Sequence, residues 1–169
     1  MQPDEELRTA EANLLAALLQ RVGYALWQAA ECEDTLAHYV VVRLRSVKGI
    51  GEVAGLELLR QAQKRTFGSL LKELRGKGVV ESDIDRRLVP LLEERNWLVH
   101  HAKRESRGAL RDPPRFDALV SRLDRLAEEA TSINSLLGAR LEEFVIQAGA
   151  DPSAIDREAA KLLSEWGYL

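Results

Sequence analysis

The spacing Phe116, Leu119, Leu123, Leu126, Ala130, Ile133, Leu137, Leu141, Phe144, Ala148 constrains this chain more than any other feature. Apolar residues recur there every three or four positions, the period of one helix face. The pattern is unbroken from Pro114 to about Gln147. It predicts a helix roughly 50 Å long at about 1.5 Å per residue. That is longer than one compact bundle needs, so part of it is expected to pack against a partner chain.

The remainder is also helical in character. Residues 4 to 46 read as helix almost throughout, opening on Pro3 and the acids Asp4, Glu5 and Glu6, which suit a helix N-terminus. Leu7, Leu14, Leu15, Leu18 and Val22 form an apolar face, and Leu26, Ala30, Leu36, Ala37, Val40 and Leu44 continue it. Gly49, Gly51 and Gly55 do not have the GxGxxG spacing and follow no strand, so they read as a turn. A short helix is expected from about Glu52 to Lys64. Thr66 then caps Phe67 to Arg75, and Gly76-Lys77-Gly78 stops that segment. Ser82 caps the next helix, with Asp83 and Asp85 in its first turn and an expected end near Arg104. Pro90 inside it predicts a kink. Glu105 to Arg115 reads as the one loop of any length, an arginine-rich flap. Asp151 and Pro152 open a last helix to about Trp166, whose Leu162, Leu163 and Trp166 require a docking surface.

Composition supports an all-α chain. Apolar residues make up 46% of the 169 residues, enough for a real core, and Leu, Ala, Glu and Arg dominate. One domain over residues 1–148 and a helical appendage over 149–169 is the expected organisation. No apolar run approaches the roughly 18 residues that cross a membrane, and no basic region precedes Leu14 to Leu19 as in a signal peptide. A single cysteine, Cys32, excludes an internal disulfide framework. A cytoplasmic protein with no membrane contact is the resulting expectation. Neither a cofactor nor a metal is called for. His100 and His101 are adjacent, so they point about 100° apart on a helix and make a poor ligand pair, and His38 packs among Leu36, Tyr39 and Val40.

Charge is unevenly placed. From Arg43 to Arg115 there are 17 Lys and Arg against 10 Asp and Glu, a balance of +7. The flanks hold 7 basic and 17 acidic residues, a balance of −10, which together give the net −3. Such segregation suits an anionic partner held by the centre of the chain, although solvated helix faces would produce it as well. Lys64, Arg65, Lys72, Arg75 and Lys77 form one basic surface and Lys103, Arg104, Arg107, Arg111 and Arg115 another. Each is suited to tracking a phosphate backbone.

Within the basic block, Ile84, Leu88, Leu91, Leu98 and Ala102 form a helical stripe with one member missing. The missing position is Arg95, four after Leu91 and three before Leu98. Arg cannot shed its charge, and burying it unpaired costs several kcal/mol. Two explanations are open. A carboxylate of the first helix (Glu31, Glu33 or Asp34) pairs with it, or it serves an anionic ligand. Glu93, Asn96, His100 and Lys103 or Arg104 make a second, polar stripe on the same turns. Arg is the best phosphate clamp and His the best proton carrier near neutral pH. Arg95, Asn96 and His100 within six residues therefore fit phosphodiester cleavage. Five residues along a helix is a rotation of about 140°, so Arg95 and His100 do not point the same way within one straight helix.

Glu94-Arg95-Asn96-Trp97-Leu98-Val99-His100-His101 resembles the RxxxxH motif of the HEPN superfamily, in its RNxxxH form. The order of helices from Glu5 to Ala148 agrees in outline. The resemblance implies an antiparallel bundle of four to five core helices that dimerises, with two motif copies around one cleft. It implies a metal-independent endoribonuclease of toxin type acting on RNA, with Arg95 and His100 catalytic and Asn96 as polar support. Other members of the superfamily are inactive or bind nucleotides, and some pair with an antitoxin protein. The helix from Pro152 onward lies outside the resemblance.

Overall fold

The computed structural model describes residues 3–47 and 49–165. Among them every regular element is helical. In chain order these are α1 (Pro3–Val40) with a π turn (Val41–Arg45), α2 (Glu52–Gln63), α3 (Phe67–Lys77), α4 (Ser82–His100), α5 (Ala102–Ala109), α6 (Pro113–Gln147) and α7 (Pro152–Glu165).

Local chemistry sets most boundaries. Thr66 caps α3 by accepting from the Ser69 N–H at 3.3 Å, and Gly78 ends it in the left-handed region at φ 64°. Asp112 caps α6 through the Arg115 N–H at 3.3 Å. Asp151 accepts from the Ser153 N–H at 3.0 Å at the start of α7. α4 begins one residue earlier than its expected cap implies. Glu81 occupies the N-cap position without a side-chain cap bond, and Ser82 is already helical. The helix then runs unbroken through Pro90. Gly49 and Gly51, at φ 83° and 78°, make the turn before α2.

Two long helices form the spine. Leu18, Ala25, Ala29, Cys32, Leu36 and Val40 of α1 are buried, and so are Leu119, Leu123, Leu126, Ala130, Ile133 and Leu137 of α6. Their cross-contacts advance together: Glu11 with Arg111, Arg21 with Asp124, Gln28 with Thr131, Arg43 over Phe144. α1 and α6 are therefore parallel, which corrects the expectation of an antiparallel bundle. α4 runs the other way, since Glu81, Arg87 and Glu94 meet Arg140, Glu129 and Arg122 in descending order. The stripe Ile84, Leu88, Leu91, Leu98 and Ala102 is buried as its spacing requires.

The length of α6 is largely answered inside the chain, by α1. The apolar set read along α1 divides into two faces. Leu18 is buried, while Leu14, Leu15, Leu19, Leu26 and Trp27 are exposed. At the far end the π turn, closed by the Ser46 N–H on the Val41 carbonyl at 2.8 Å, carries Arg43 and Arg45. Arg43 lies over the Phe144 ring, and Arg45 meets Glu73 of α3 at 2.8 Å. α7 exposes its described side chains except the half-buried Ile155. Trp166 and the Leu162 side chain, expected to dock, lie outside the described residues. No helix among the described residues is long and apolar enough to cross a membrane.

Candidate functional site on the fourth helix

α4 places the motif residues on three different sides. Arg95 holds its place in the core seam through Glu33 of α1, its Nη2 donating to Oε2 at 3.1 Å. The other Glu33 oxygen accepts the Phe67 N–H at 2.7 Å, at the start of α3. One carboxylate thus ties together α1, α3 and α4, and it sits at a helix N-terminus, where negative charge is favoured. Of the three carboxylates considered for Arg95, Glu33 is its partner. The Arg95 side chain still keeps 31% of its exposure. It spends one of its five N–H donors on Glu33.

The second side is structural. The Glu94 carboxylate accepts two bonds from Arg122 of α6, at 2.7 and 2.9 Å. The Arg122 guanidinium carbon lies 3.5 Å from the Trp97 ring centroid. The Trp97 Nε1–H donates to Glu105 of α5 at 2.9 Å. This cluster of Glu94, Trp97, Glu105 and Arg122 fixes α4 and α5 onto α6. Its one trace in the sequence is that Glu94 and Trp97, three apart, share a face.

The third side faces solvent. Glu93, Asn96, His100, Lys103 and Arg104 are all exposed, as the polar stripe requires. No side-chain hydrogen bond joins Asn96 to His100 among the described residues. The His100 and His101 ring centroids are 6.4 Å apart at 70°. The helix breaks at His101, with φ −122° and ψ −30°, and restarts at Ala102.

The expected flap at Glu105 to Arg115 is therefore mostly helix. α5 covers Ala102–Ala109, and α6 starts at Pro113. Of the basic residues assigned to RNA contact, Lys103, Arg104 and Arg107 project from α5, exposed and without an ion pair among the described residues. Arg111 is held by Glu11 at 3.1 Å. Arg75 makes two bonds to Asp85, at 2.6 and 2.9 Å, which leaves Lys72 as the uncommitted cation of the α3 pair. Arg104, Arg115 and Arg122 line a cleft of about 540 Å³ between α5 and α6, with Glu105 the one acid among them. An apolar groove of about 420 Å³ separates α1 from α4 and α5, with Lys103 and Arg107 in its lining. A groove of about 830 Å³ lies between α1 and α6 and includes no residue of α4.

Cys32 is a core residue. Burial pushes its thiol up to about 12, and the nearby carboxylates of Glu33 and Glu129 add to the rise. A protonated thiol of this kind is no nucleophile.

Fold and site together define an all-α protein with a basic, histidine-bearing helix end. No family model, curated protein or solved structure matches the chain.

Proposed function

We propose that this chain is a metal-independent endoribonuclease of HEPN toxin type, acting on cytoplasmic RNA as a homodimer. The observation that carries the reading is the exposed stripe on α4 and α5. His100 and Asn96 stand uncommitted there beside Lys103, Arg104 and Arg107. Arg95 sits on the same helix with most of its N–H donors unspent.

In the proposed reaction the ribose 2′-oxygen attacks the adjacent phosphorus and the bond to the 5′-oxygen breaks. One His100 accepts the 2′-hydroxyl proton, and the His100 of the second copy protonates the leaving 5′-oxygen. Arg95 stabilises the charge growing on the phosphorane. Asn96 orients His100 or a phosphate oxygen. The products are a 2′,3′-cyclic phosphate and a 5′-hydroxyl, and DNA, lacking the nucleophile, is not cut. Two chains supply what one straight helix does not, an arginine and a histidine converging on one phosphate. An antitoxin protein would act by covering this surface.

The Arg95–Glu33 pair favours a second reading, a non-catalytic helical interaction or nucleotide-binding module in which Arg95 locks α4 to α1. Cleavage of labelled mixed-sequence RNA in EDTA separates the two. The ribonuclease reading expects His100→Ala to lower the rate by about 100-fold or more while leaving helicity and melting unchanged. Arg95→Ala is expected to lose activity beyond its effect on folding. Cutting of a DNA analogue at a rate near that of RNA would rule out the scheme. RNA left intact by the wild type, with Arg95→Ala strongly destabilised, would establish the module.

A further inference from the structure

We infer that α1 is a dimerisation helix, and that a second copy of this chain lies antiparallel on its uncharged outer face. Between Glu11 and Glu31 the only charged residue is Arg21, and that guanidinium is drawn to one side by its pair with Asp124 of α6. Leu15, Leu19, Val22 and Leu26 follow at steps of four, three and four along this stretch. That is the seam spacing of paired helices. Leu19 is 60% exposed, Leu26 45% and the flanking Trp27 66%. A helix apolar on several sides belongs in an interior, and nothing among the described residues covers Leu19, Leu26 or Trp27.

The occupant follows from the order of residues. A two-fold contact must be self-complementary. An axis between Val22 and Gly23 sets Leu19 against the partner copy's own Leu26 position, and Leu15 against the small Ala30. At the crossing point Gly23 leaves open space where a Cβ would stand, so a second backbone can approach closely. Between Ala12 and Ala30 no like charges meet across such an axis; Glu11 and Asp34, at its margins, are the one like-charged pair set level.

Residues Ala12 to Ala30 span about 28 Å, on a helix about 10–12 Å wide. That face alone is smaller than the roughly 800 Å² per partner of a standard interface. The neighbouring apolar groove extends it, because Leu15, Leu19 and Val22 also line that groove with Leu98 and Leu110.

The interface bears on the proposed site. A two-fold axis perpendicular to two antiparallel helices keeps each copy's α4 on the same side of the pair. Leu98 shares the groove with Leu15 to Val22, so the His100 end of each motif lies beside the axis, while each Arg95 lies level with Glu33, about 16 Å along the helix from it. The shared cleft rests on the ribonuclease reading; the interface does not.

The test uses the full chain. Light scattering on a sizing column is expected to give wild type at twice the single-chain mass of 18.9 kDa. Leu19→Glu with Leu26→Glu is expected at the single mass with helicity intact, both positions being exposed. Gly23→Cys, near the axis, is expected to form a disulfide-linked dimer on oxidation. Ala12→Cys, whose two copies stand about 30 Å apart in this arrangement, is not, and the buried Cys32 does not interfere. A monomeric wild type, a double variant that stays dimeric, or linkage through Ala12→Cys but not Gly23→Cys would each overturn the proposal. RNA cleavage by the monomeric double variant would overturn the shared cleft while leaving the nuclease standing. A dimer without ribonuclease activity would overturn the nuclease and the shared cleft together while leaving the interface standing.

Discussion

Glu33 does two jobs with two oxygens, and Arg95 depends on it. Replacing it by Gln keeps the length and an acceptor for the Phe67 N–H but removes the charge that Arg95 meets. Both side chains keep some contact with water, so the expected loss is modest, about 1 kcal/mol in urea denaturation. An unchanged midpoint would mean the pair contributes nothing, and that Arg95 is held for another purpose. The gap in the apolar stripe at Arg95 was enough to place a guanidinium at the core seam. Choosing Glu33 over Glu31 and Asp34 was not possible from spacing, because the choice turns on a backbone N–H at Phe67, 34 positions away. The solvent-facing residues, Asn96 and His100, were fully legible, since a polar stripe on an amphipathic helix has nowhere else to go.

Among the elements, the break at His101 is the feature that periodicity concealed. Ala102 continues the stripe of α4, so the helix read as running on to Arg104. The structure turns at His101 and buries Ala102 from a new direction. α5 read as a loop because its inward residues are Ala102, Ser106 and Ala109, too small to register as an apolar stripe. What replaces a large core residue there is Trp97, with its hydrogen bond to Glu105 and the Arg122 guanidinium over its ring. Trp97→Phe should keep the packing and lose the hydrogen bond, for about 1 kcal/mol. Trp97→Ala should cost about 3–5 kcal/mol, measured by denaturant unfolding. Equal losses for the two would show that the hydrogen bond, not the ring, holds α5.

At the scale of the whole molecule, ion pairs between elements set the response to acid. Burial raises the Glu73 carboxyl, but hydrogen bonds from Arg65 and Arg45 outweigh it, and the group ends below its ordinary value of 4.5. The hydrogen bond from Arg75 takes Asp85 below its ordinary 3.8. For depressed carboxylates the unfolded chain takes up protons first. Their stabilisation is therefore complete above the unfolded values and is lost as pH falls through the folded ones. Thermal midpoints should be level with respect to these groups above about pH 5.5 and decline progressively below about pH 4.5. A midpoint that rises on going from pH 5 to pH 3 would contradict the assignment. The helix inventory of the chain was readable apart from α5 and the π turn, but relative direction was not, because a periodic stripe has the same spacing read from either end. The parallel run of α1 and α6 appears only in which residues meet across it.

That parallel pairing has a consequence for how the chain is made. Its partners are far apart in sequence: Arg21 and Asp124 are separated by 103 positions, and so are Gln28 and Thr131. These long-range pairs carry a loop-closure cost that must be met before the largest interface forms. At synthesis rates of about 5–20 residues per second, α1 emerges about 5–20 s before α6. Through that interval Leu18, Cys32 and Leu36 on one side of the helix and Leu19 and Leu26 on another are bare together. The nascent chain therefore presents this two-sided segment before α6 can cover it, and the ribosome-bound stage is when it most needs shielding.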